Sequence, residues 1–149
     1  MKEFYTRQTA NDGLKLPLVL PDGSPSEHWL NVRGIDSDEF RKADSIAKRK
    51  AMEISLISDV NDRAEKVREV ELHCIAALIS SWSFPMECTV ANVVDFLREA
   101  PQVADAVNRY SARRAEYFTK KSLSSAIGQS AKSSSKGPRK AQKSNSETT

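Results

Sequence analysis

Cysteine is scarce in this chain of 149 residues, with two in all. That number cannot build a secreted disulfide framework, so a reducing cytosol is the expected setting. Long apolar runs are missing too: none approaches the ~18 residues of a membrane-spanning helix. The opening stretch, Met1 to Asn11, has no apolar signal-peptide core, so classical secretion is not expected. The five glycines are scattered and form neither GxxxxGK[ST] nor GxGxxG, which leaves no phosphate cradle. Zinc needs about four suitable ligands. His73, Cys74 and Cys88 are the clustered candidates, and His28 lies far from them in sequence. His73 and Cys74 would point about 100° apart on a helix, so Cys74 is expected in a core and His73 at its margin. Nothing marks a third group to orient a Cys–His nucleophilic pair, and most carboxylates fall on polar helix faces. No enzyme, no cofactor and no metal site is expected.

What is present is charge of uneven placement. Residues 119–149 hold Lys120, Lys121, Lys132, Lys136, Arg139, Lys140 and Lys143 against Glu147, a net +6, which leaves residues 1–118 at −3. The same segment holds nine serines and no aromatic residue. It cannot bury enough apolar surface to offset its ordering entropy and reads as a disordered basic tail. A basic tail raises the reading of a small nucleic-acid-binding protein with salt-sensitive affinity. Against it, no aromatic side chain is there to stack on a base, and the body is acidic.

Residues 1–35 read as β-rich and 36–118 as helical, together one domain. Leu14, Leu16, Leu18 and Leu20 alternate as on a strand with one buried face. Asn11-Asp12-Gly13 and Pro21-Asp22-Gly23 bound the run as turns, and Pro17, lacking an N–H, argues for an edge position. His28 to Arg33 fits a return strand, and Phe4 to Thr9 is a candidate third. From Asp36 the period becomes helical. Asp36-Ser37-Asp38-Glu39 resembles a capping box, and Phe40, Ala43, Ile46, Ala47, Ala51, Ile54 and Ile57 follow on one stripe. A second helix is expected from Asn61 or Asp62 to Trp82, ended by Ser83-Phe84-Pro85. Thr89 can cap a short helix, and Pro101 can open a last one reaching Tyr117 and Phe118. The fold class is therefore α+β, with a small antiparallel sheet of two or three strands followed by three or four helices.

Large aromatic and sulfur side chains are the candidate contacts for a partner: Trp29, Trp82, Phe84, Met86, Tyr117 and Phe118. For Trp82, as for Tyr110, position on an apolar stripe favours a core role. Phe84, in a break beside Pro85 and Met86, fits a partner contact as well as a core plug.

The order of these features resembles a known family. Gly13-Leu14-Lys15-Leu16-Pro17-Leu18 and Pro21-Asp22-Gly23 come first, then Trp29-Leu30-Asn31-Val32-Arg33-Gly34 and Asp36-Ser37-Asp38-Glu39-Phe40-Arg41. Ser80-Ser81-Trp82, Asn92-Val93-Val94-Asp95-Phe96-Leu97 and Ala100-Pro101-Gln102-Val103 complete the series. Over about residues 3–118 this is similar to the tail assembly chaperones of long-tailed (siphovirus-type) bacteriophages. The resemblance implies a non-enzymatic protein of the host cell cytoplasm that binds the tape measure protein. It implies further that the protein keeps this client soluble, helps recruit tail tube protein, and is absent from the mature virion. A frameshifted longer form of the chain and a homo-oligomer belong to the same expectation; membrane contact does not. The rivals are the nucleic-acid-binding protein and a structural tail or head–tail subunit retained in the virion. No binding residue of the family carries over to a numbered position, so the aromatic candidates rest on surface chemistry.

Overall fold

A computed structural model describes residues 1–118; the tail expected over 119–149 lies outside the described residues. The elements run α1 (Arg7–Asp12), β1 (Leu14–Val19), β2 (Pro25–Val32), α2 (Asp38–Ile54), α3 (Val60–Ala76), β3 (Ile79–Trp82), α4 (Val90–Glu99) and α5 (Pro101–Ser111). The α+β class and the antiparallel sheet with helices after it are as expected.

The sheet has the order β1-β2-β3, so β1 is an edge strand and Pro17 sits where no donor is required. Leu14 pairs with Val32 and Leu16 with Leu30, which places Leu14, Leu16 and Leu18 on the inner face; Leu20, expected on the same face, lies past the end of β1 in the turn and is exposed. In the hairpin turn the Asp22 carboxylate accepts from the Ser24 amide at 2.9 Å, and Gly23 takes a φ of 88° that other residues adopt at a cost.

The third strand is not where the sequence placed it. Phe4 to Thr9 instead forms a 3-10 turn (Lys2–Phe4) leading into α1, in which Ala10 is the buried residue, packed beside Gly34. That stretch lacks the apolar alternation that would hold a strand on a core. The third strand is Ile79–Trp82, expected as the end of a helix; α3 stops at Ala76 and spans less than the expected 61–82. Ile, Ser and Trp are indifferent helix formers, and the open edge of β2 offers their backbone groups partners: Leu30 pairs with Trp82 and Asn31 with Ser81.

The caps show similar substitutions. Ser37, not Asp36, caps α2, accepting from the Phe40 amide at 3.4 Å. Asp36 is drawn into a clamp instead, accepting from Thr6 (2.9 Å), Arg41 (3.1 Å) and Arg114 (2.7 and 3.0 Å). These partners, Arg114 first, hold its carboxyl down at about 2. Asp59 caps α3 through the Asp62 amide, Thr89 caps α4 as expected, and Pro101 opens α5 as expected. The last helix ends at Ser111; residues 114–118 form a further turn.

Leu30, Val32, Leu78, Leu97 and Val107 are fully enclosed and centre the core between the sheet and helices α3, α4 and α5. Helix α2 packs chiefly on α3, outside that core. It has a single buried residue, Ile54, over its 17 positions.

Candidate partner-binding groove

The outlying position of α2 opens a groove of about 570 Å³ along its inner side. One wall is α2 itself. Lys42, Ile46 and Lys50 stand at i, i+4 and i+8, one line along the helix, with Ala43 and Ala47 set deeper beside them. Val70, Cys74 and Ala77 form the floor. The opposite wall comes from Arg33, Ile79, Ser80, Cys88 and Val90. The small side chains leave the space, and the aliphatic ones make its base apolar. From Glu39 to Lys50 the wall runs about 16 Å, roughly three turns of a helix.

Hydrogen bonds fix the frame. The Cys74 thiol lies 3.6 Å from the Ala43 carbonyl, joining floor to wall. Arg33 donates to the Ala77 carbonyl at 3.0 Å, closing the C-terminal end of α3. Glu69 on the rim is held by Arg98 at 3.0 and 3.1 Å. Burial pushes the Cys74 thiol up, reinforced by Asp44 and Glu71; burial also raises Cys88, partly opposed by Arg33. Raised thiols are poor nucleophiles at neutral pH.

The six residues singled out by chemistry lie elsewhere. Trp82, Phe84 and Met86 are brought together: the buried Trp82 donates its ring N–H to the Met86 carbonyl at 2.7 Å and meets Phe84 and Phe96 edge-on, at 5.3 and 6.0 Å between centroids. His28 completes this cluster, 4.6 Å from Phe84. Trp29 is on the other face of the sheet, under the Lys15 ammonium at 4.2 Å. Tyr117 is buried, its hydroxyl donating to the Val32 carbonyl at 3.0 Å, whereas neighbouring Phe118 is exposed. None of the six lines the groove. Its lining does hold His73, Cys74 and Cys88, the cluster weighed above for metal or nucleophile chemistry, among alanines, aliphatic and charged side chains; for the groove itself the available signal was the one-sided stripe of α2.

Among the described residues no helix is long and apolar enough to cross a membrane, and no His/Cys/Asp/Glu group gathers that could hold a metal. An open groove with an apolar floor beside a helix is a geometry that can accept a partner helix. The chain belongs to the phage tail assembly chaperone family, whose model matches residues 3–121. Its place in that family implies a non-enzymatic role during tail assembly, with tail proteins as partners. No curated protein matches the chain, and no solved structure does.

Proposed function

We propose that this chaperone binds the tape measure protein by seating an amphipathic helical stretch of it in the groove between α2 and the α3–β3 segment. Covering the apolar side of that client keeps it soluble, and the client–chaperone complex then helps gather tail tube subunits. The protein acts in the host cytoplasm and leaves before the virion is mature. The observation that carries this reading is the groove itself: an apolar floor beside an α2 wall about three helical turns long that bears Lys42, Ile46 and Lys50. A helix laid there would bury the side chains that α2 leaves half covered.

Co-expression with the tape measure protein tests it, at about 0.5 M salt where contacts between exposed charges are largely screened. The expected result is a soluble client that co-purifies with the wild-type chain and is lost with Ala47→Trp, which fills the groove. A client that stays insoluble beside the wild-type chain overturns the proposal. Detection of the chain at stoichiometric level in purified virions by mass spectrometry overturns its transient character.

A further inference from the structure

We infer that the groove is built for a helix bearing carboxylates along one flank, two helical turns apart. This rests on the groove being the client site and specifies what the client must carry. Lys42 and Lys50 flank Ile46 on one line of α2, with about 12 Å of helix axis between them. No hydrogen bond or ion pair to either lysine is present among the described residues. Of the other cations of α2, Lys48 is paired with Asp44 at 2.6 Å and Arg41 with Asp36 at 3.1 Å, and Arg49 is not part of the groove lining.

The acidic groups facing the groove do not neutralise the two lysines. Glu69 is engaged by Arg98, and Glu39 sits in the first turn of α2, where the helix dipole already favours it. Arg33 adds a third cation on the far wall. With Arg33, Lys42 and Lys50 against Glu39 and Glu69, the groove lining has a net charge of +1, within a body whose net charge is −3. An occupant helix with its apolar stripe on the floor directs residues i and i+7 at the α2 wall, about 10 Å apart. Carboxylates there meet Lys42 and Lys50. The chain's own residues 119–149, at +6, have the wrong sign for this wall.

The test uses the full chain and two synthetic helical peptides of about 18 residues. Both carry the same Leu/Ala stripe; one has Glu and the other Lys at the flanking i and i+7 positions. Fluorescence anisotropy at about 50 mM salt should show the Glu peptide binding about three- to tenfold more tightly. The gap should narrow at about 0.5 M salt, and the double variant Lys42→Glu/Lys50→Glu should reverse the preference. Equal binding of both peptides, with both lost on Ala47→Trp, overturns the flank inference and leaves the groove reading standing. Peptide binding undiminished by Ala47→Trp overturns the groove reading itself. Failure of both peptides together with a concentration-dependent oligomer mass assigns the groove to a second copy and overturns the inference.

Discussion

Helices α4 and α5 bury three of 10 and four of 11 residues, while α2 buries one of 17. The difference is not one of apolar content, because α2 carries a full stripe from Phe40 to Ile54. It is one of what lies opposite. The inner faces of α4 and α5 meet the sheet and α3, whereas α2 meets α3 along one side and the groove along the other. Towards the end of the α2–α3 hairpin, Met52 and Leu56 are 74 and 83 % exposed. The helices of the body enclose more of their apolar residues than the arm does, although Phe4, Val19 and Met86 stay exposed outside it. Such a division suits the proposed covering of another chain's apolar surface.

Truncation separates the two regions most strongly. Leu30→Ala, at a fully enclosed position, should cost about 2–5 kcal/mol through lost transfer energy and a cavity. Ile46→Ala, in the groove wall, should stay within about 1 kcal/mol. Urea midpoints measure both, and equal costs would erase the distinction between body and arm. Acid should sharpen the comparison next. Asp36 has its folded pKa lowered from 3.8 to about 2, so its stabilisation is complete above about pH 4 and disappears as pH falls to 2. The loss amounts to ~2 kcal/mol across that window. It should vanish in Asp36→Asn, as urea titrations at pH 6 and pH 2 would show. Its clamp joins residues 6, 41 and 114, so acid should loosen the α1–α2 junction before the core. The smallest effect belongs to the closing turn. Tyr117→Phe removes the hydrogen bond to Val32 and should lower stability by about 1 kcal/mol. No change in melting temperature would show that residues 114–118 lie outside the body's cooperative unit.

Features governed by near neighbours in sequence were readable in advance. The β1–β2 hairpin follows from the leucine alternation and Pro21-Asp22-Gly23, the cap at Thr89 from its hydroxyl, and the start of α5 from Pro101. Strand β3 was not readable, because Cys74, Leu78 and Trp82 keep helical spacing and the deciding partner, Leu30, lies 52 residues before Trp82. The groove was readable only as a pair of helices that can enclose one. Alanine 43 and 47 matter through the room they leave, and lysines matter here through lacking partners; neither property is written in residue type. Trp82 stands out for the opposite reason. Trp82 has a conspicuous side chain whose bulk and N–H are engaged inside the molecule.

The chain's two cysteines, Cys74 and Cys88, both line the groove. Both are half-buried, and both have thiols raised by burial, so alkylating reagents should reach them but react slowly. A seated helix would shield the pair together. The native molecule therefore carries a chemical clock for its own occupancy: the rate at which its thiols are modified reports whether the groove is filled, with no label added and no residue changed.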